Sequence, residues 1–253
     1  MLADTLNDPN QTAEKSPLPK WNIGTTDFGI FIALLFSSMV VASTAAGKIA
    51  AWLLDADPDA ERPLLVTHSE NLGMQLGMLL AFIGFSLITR DPPKPRRAGF
   101  RRSAIIGLKW LMISYPIMIG VNLLWKLALM ALGFEQVTQD PVKLVQEGGA
   151  FAERLLIYLM IIVVAPICEE VVFRGGVFRF LHHRLSLVGA AGLSAFFFAA
   201  IHFNLYSFAP LFVIGVTLAL AYRETGSILS AIVFHSVFNS LNLCLILLFP
   251  DLS

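Results

Sequence analysis

Three stretches of the sequence hold ionisable or amide side chains among apolar residues. The first is APICEEVVFRGG, residues 165–176, with Glu169, Glu170 and Arg174. The second is FFFAAIHFN, residues 196–204, with His202. The third is FHSVFNS, residues 234–240, with His235 and Asn239. A carboxylate accepts a proton, an imidazole accepts or donates near neutral pH, and an amide donates without changing charge. Such a set suits activation of water against a carbonyl, with donors ready for the oxygen that becomes charged. That is hydrolysis of an amide or ester.

Spacing assigns these groups to faces. Glu170 and Arg174 are i and i+4 with the acid first, the favourable order for a helical ion pair. Read alone, that pair is structural. Glu169 is rotated by about 100° from Glu170 and has no partner on its own helix. An unpaired buried carboxylate has its pKa pushed toward neutrality, where a general base works. Pro166 frees a backbone carbonyl one turn earlier. His235 and Asn239 are again i and i+4 and share a face. Read alone, His202 is a core histidine among aromatics and the His235–Asn239 pair is interhelical glue.

These groups have to be positioned in lipid. Of 253 residues, 56% are hydrophobic and 14% charged, against about 25% charged in soluble domains. A charge at mid-membrane costs roughly 2.5–3.5 kcal/mol on insertion scales, so such residues carry a functional expectation. Apolar runs of bilayer-spanning length fall at about 28–54, 71–89, 104–134, 155–181, 187–203, 209–222 and 228–249, the sixth being short. The expected fold is all-α: a polytopic transmembrane helical bundle of about seven spans, six to eight being compatible, with an active-site chamber among the C-terminal four helices. Lys48 and Lys126 lie near span ends and can snorkel. The expected division is a polar cytoplasmic tail at 1–26, N-terminal transmembrane helices and loops at 27–149, and a catalytic helical core at 150–253.

The tail has no basic stretch leading into a short apolar run, so it does not read as a cleavable signal peptide; it reads as a loose or surface-lying segment. Cys168 and Cys244 lie in apolar runs and read as reduced, buried thiols. The net charge of zero leaves no electrostatic footprint for nucleic acid. The expected partners are the bilayer and a peptide or protein at the membrane. The connection 90–102, RDPPKPRRAGFRR, is basic and belongs on the cytoplasmic side; 55–70 is acidic and falls opposite. That places the N-terminus in the cytoplasm of a multi-pass protein of a bacterial-type inner membrane.

Depth supports convergence. If the fourth and fifth spans form a hairpin turning near 183–186, Glu169 and His202 each lie roughly 24 Å from the turn. Asn239 falls at a comparable depth if the turn after the short sixth span is recessed. Glu169, His202 and His235 could also hold a divalent metal such as zinc, with Asn239 as a weak fourth ligand. One Glu does not easily serve as both ligand and base, so a metal-free mechanism is slightly favoured. No GxSxG, HExxH or Cys–His arrangement offers another route.

With EEVVFR at Glu169–Arg174, FAAIH at Phe198–His202 and HSVFN at His235–Asn239, the chain resembles the CPBP family. These are the CAAX proteases and bacteriocin-processing intramembrane peptidases, also called Abi, whose pattern is EExxxR, FxxxH and HxxxN or HxxxD. The resemblance covers about 150–245. It implies an intramembrane endopeptidase in which Glu169 activates water and His202, His235 and Asn239 complete the site. Glu170, Arg174 and Phe198 are motif members with a more structural role. It implies a chamber opening to the cytoplasm or laterally to lipid, and a substrate such as a CAAX-like tail or a bacteriocin or leader-type peptide. The family is often described as metalloprotease. Two alternatives stand beside this reading: a non-catalytic immunity or scaffold protein that binds a toxin or partner helix, and a proton-coupled carrier.

Overall fold

The computed structural model describes residues 18–57, 63–89, 98–135, 145 and 149–249. Among them the chain is helical, without strands: α1 Thr25–Leu53, α2 Leu64–Ile88, α3 Phe100–Ala131, α4 Phe151–His182, α5 Leu187–Ala200, α6 Leu205–Thr225 and α7 Ile228–Leu248. Six of these are long and apolar enough to cross a membrane; α5, with 14 residues, is the shorter apolar helix. The exterior is apolar, with Trp52 78%, Met112 78% and Val188 83% exposed. Inside lie Glu169, Glu170, Arg174 and Arg179. Polar groups inside and large apolar side chains outside fit a lipid-solvated helical bundle, the fold class expected from sequence.

Local chemistry sets the helix ends. Asp27 accepts the Gly24 N–H at α1 (2.9 Å), and Glu153 accepts the Ala150 N–H at α4 (2.7 Å). Ser186 Oγ accepts from Gly189 at α5, and Asn204 Oδ1 from Ser207 at α6. Gly226 closes α6 at φ +66°, a conformation that favours glycine.

Four expectations need correction. The sixth span is not short: α6 has 21 residues, so the recessed turn inferred from its shortness falls away. Asn204 caps the helix ahead of Tyr206 and Ser207, and Pro210 is carried in its second turn, so residues that read as a connection are helical. The second span starts at Leu64, since Pro63 supplies an extended N-cap, and Thr67–Glu70 belong to the helix instead of the acidic loop. The segment before α1 is not loose where it is described: Leu18, Trp21 and Ile23 are buried. Cys244 is exposed, while Cys168 is buried as expected, and both are free thiols. The basic stretch 90–97, the start of the tail at 1–17 and part of the acidic stretch, 58–62, lie outside the described residues.

The chain divides into two compact units. The first comprises Met1–Trp21, Pro93–Gln139 and Phe173–Val237. In it α3 and α6 pack together, as do α5 and α6. A Cβ on Gly107 would meet the Ser230 carbonyl at 2.5 Å, and one on Gly215 would meet Ala195 at 2.9 Å, so glycine permits both close approaches. The second comprises Asn22–Pro92, Asp140–Val172 and Phe238–Ser253. Its main contact is α1 on α2, where Cβ atoms on Gly73 and Gly77 would lie 2.5 Å from the Ala42 and Ser38 carbonyls. That fit fixes the rotation of α2 about its axis.

Candidate active site

In the second unit, α2 directs a residue that the sequence reading passed over. Gln75 lies between Gly73 and Gly77. Two residues along a helix turn the side chain by about 200°, so Gln75 projects from the face opposite the close contact with α1. It is 7% exposed, and its Nε2 donates to Glu169 Oε1 at 3.0 Å. Glu169 is itself 5% exposed. Its expected isolation is corrected: the partner comes from α2, outside the C-terminal four helices. An amide satisfies a carboxylate oxygen without neutralising it. The carboxylate is thereby oriented.

Asn239 occupies the same unit, on α7. Its Nδ2 donates to the Ile161 carbonyl at 2.8 Å. The carbonyl needs this donor for a reason visible in the sequence. Met160–Val164 forms a π-helical turn, in which Ala165 N donates to Met160 O. Ala165 is therefore lost to Ile161 O as an α-helical partner. The π register would offer residue 166 next, and residue 166 is Pro, without an N–H. Asn239 supplies the missing donor. One amide hydrogen and Oδ1 remain for other contacts.

In the first unit, Phe198 on α5 collects the remaining motif residues. Its ring centroid lies 5.2 Å from that of His202 and 5.8 Å from that of His235. The Arg174 guanidinium sits over the same ring at 4.6 Å, and Phe173 meets it edge-on at 5.5 Å. Arg174 Nη2 also donates to the Gly215 carbonyl at 3.0 Å. His202 lies beyond α5, in the turn to α6, and not in the helix. Its ring folds back so that Nδ1 is 2.8 Å from the Phe198 carbonyl. A carbonyl only accepts, so Nδ1 carries the hydrogen, and in the neutral ring Nε2 keeps its lone pair. His235 is buried and His202 half-buried. Phe203, next in the turn, has φ +47° and is 85% exposed.

The structure therefore gathers Arg174, Phe198, His202 and His235 around one ring, and Glu169, Gln75 and Asn239 within the other unit. Glu170 is fully buried. Among the described residues, no group of three or more His, Cys, Asp or Glu side chains is placed to hold a metal ion.

Residues 151–241 match the family model described as Type II CAAX prenyl endopeptidase Rce1-like. The match covers all three motifs and bears out the CPBP resemblance drawn from them. No curated protein and no solved structure matches the chain. An Rce1-like domain supports a protease, an intramembrane endopeptidase in general terms, working on peptide at the membrane.

Proposed function

We propose that the Rce1-like domain hydrolyses a peptide bond of a membrane-associated protein or peptide, with Glu169 as the general base. Water gives a proton to the Glu169 carboxylate as its oxygen bonds to the scissile carbonyl carbon. The carbonyl oxygen becomes an oxyanion, for which the resemblance gives His235 and Asn239 as donors, while His202, whose Nε2 keeps its lone pair, accepts from the attacking water. The C–N bond then breaks, and the proton held by Glu169 passes to the leaving amine. Gln75 acts through Glu169 as a positioning residue. The two substrate classes carried by the resemblance are a CAAX-like tail and a bacteriocin or leader-type peptide.

One observation carries the reading. A buried carboxylate, oriented by a neutral amide, lies within the matched residues 151–241 and in the EExxxR pattern on which the resemblance rests. A scaffold gains nothing from burying such a group, whereas a base requires it. Removing a general base typically costs about 10²–10⁴-fold in rate. Glu169→Gln is expected to lose turnover by that factor while remaining folded, and Glu170→Gln mainly to lower stability or yield. Turnover of purified Glu169→Gln at the wild-type rate overturns the assignment.

A further inference from the structure

Of the motif residues, His202 alone lies in a turn. The chain reverses within four residues, between the end of α5 at Ala200 and the start of α6 at Leu205. Hydrogen bonds inside this reversal are long: the His202 N–H is 3.3 Å from the Ala199 carbonyl and the Phe203 N–H 3.1 Å from the Ala200 carbonyl. Phe203 stands at φ +47°, a conformation costly for a bulky side chain. Its ring is 85% exposed, so packing does not offset that cost. Relaxing Phe203 to negative φ would turn the peptide that joins it to His202. The local chain therefore works against the placement of the His202 ring, and something outside the turn has to hold it.

Two hydrogen bonds to α3 do so, within the unit that carries the turn. Trp125 Nε1 donates to the carbonyl of Leu205, the first residue of α6, at 2.7 Å. Tyr206, the next residue, donates its OH to the Phe134 carbonyl just past α3, also at 2.7 Å. The two bonds cross in opposite directions, one from α3 to α6 and one back. The Phe134 end is fixed locally. Gly133 at φ +81° closes α3, with its own N–H on Met130 and the Phe134 N–H on Leu129, and this helix stop sets the Phe134 carbonyl in place. Tyr206 is 5% exposed. Side-chain packing at this joint is open: α3 and α6 part around an apolar pocket of about 270 Å³ lined by Val121, Trp125, Phe208, Ala209, Phe212 and Val213. The hydrogen bonds fix what packing leaves loose.

We infer that Trp125 and Tyr206 are positioning residues for His202. They pin the start of α6, keep Phe203 in its left-handed conformation, and so hold the Nε2 lone pair of His202 where it accepts from the attacking water. Neither belongs to the three motifs, and both act through the turn. A plain tie between α3 and α6 would not need to land on the two residues that directly follow Asn204. A tie of that plain kind exists at the opposite end of α6, where Lys109 and Trp110 donate to Glu224. Trp110 loses the same N–H as Trp125 when changed to Phe, remote from His202, and serves as the matched control. The effect on turnover rests on the endopeptidase reading; the hold on the turn does not.

Two measurements test this on the full chain. Hydrogen–deuterium exchange in detergent reads the turn directly. In Trp125→Phe and in Tyr206→Phe, the amides of 201–207 are expected to exchange about 10-fold faster than in the wild type. In Trp110→Phe they are expected to be unchanged. Unchanged exchange in the first two variants, or equal acceleration in Trp110→Phe, overturns the hold. Should Trp125→Phe fail to fold, Tyr206→Phe decides. The second measurement is kinetic. Protein ends that differ between cells carrying wild-type and Glu169→Gln protein identify a cut, and a synthetic peptide spanning it is the substrate. Trp125→Phe and Tyr206→Phe are expected to lower kcat about 10-fold with KM near the wild-type value, while Trp110→Phe keeps kcat. A fall shared by Trp110→Phe, or a change in KM alone, overturns the positioning role and leaves the protease reading intact. Full turnover in His202→Gln removes the purpose of the hold. Absence of any Glu169-dependent end overturns the protease reading and the kinetic effect together, and exchange still decides the hold.

Discussion

Gln75 Nε2 donates to Glu169 Oε1 at 3.0 Å across 94 positions of sequence. The Gly73–Gly77 contact with α1 sets the rotation of α2, and that rotation aims the amide. The carboxylate is thereby oriented by a residue that never needs to touch substrate. Gln75→Met keeps shape and apolarity but removes the donor. A hydrogen bond to a charged group contributes about 1.5–3 kcal/mol. Turnover is expected to fall about 10- to 100-fold while KM stays near the wild-type value. Kinetics on purified protein check it; an unchanged kcat removes Gln75 from the site.

Pro166 and Asn239 act on the same carbonyl. Asn239→Leu leaves Ile161 O without its donor, a loss of about 1–3 kcal/mol for a buried polar group. Pro166→Ala restores an N–H at the position the π register would use. In the Pro166→Ala background, Asn239→Leu is expected to cost much less stability. A double-mutant cycle by thermal unfolding in detergent reads the difference. Additive costs would mean that the proline and the amide do not share this carbonyl.

Helix content and the motif set were legible because lipid imposes long apolar runs and because Glu169, His202 and His235 stand out against them. What was missed lacked contrast. Gln75 is one uncharged residue within LGMQLG, and its signal is the pair of glycines that turn it away from α1. Asn204, Tyr206 and Ser207 look like a loop, yet Asn204 is a cap and the others are helical. Trp21 lies in a polar tail, and its burial depends on Arg179, more than 150 residues away in the chain. The assignment of Asn239 to a carbonyl could be reached only with the π turn in view, although Pro166 pointed to an orphaned acceptor.

Phe198 is the shared wall of the histidine pair. Phe198→Ala removes a fully buried ring and is expected to cost about 3–5 kcal/mol. Phe198→Leu retains most of the volume and loses the ring contacts with Arg174, His202 and His235. It is expected to remain folded, close to wild-type in thermal unfolding. Its turnover is expected to fall about 10- to 100-fold, because small displacements of reacting groups carry penalties of that size. Full turnover in Phe198→Leu would reduce the ring to a space-filler.

The segment before α1 is held by a group that titrates. His183 Nε2 donates to the Leu18 carbonyl at 3.2 Å, and the Arg179 guanidinium lies over the buried Trp21 ring at 5.2 Å. Burial lowers the His183 pKa from its usual 6.5; the Leu18 and Pro19 carbonyls oppose the shift, and Lys20 and Arg179 reinforce it. His182 also adjoins His183, at 5.7 Å between rings. With the segment released, His183 binds a proton more readily than when it is docked. The linkage sign follows: docking is at full strength above the usual value and weakens as pH falls through 6.5 toward the lowered one. Limited proteolysis ahead of Thr25 is therefore expected to speed up on going from about pH 7.5 to about pH 5.5. The acceleration, corrected for the protease's own pH dependence, should be absent in His183→Gln. Equal acceleration in that variant would mean that another group controls the release of the segment.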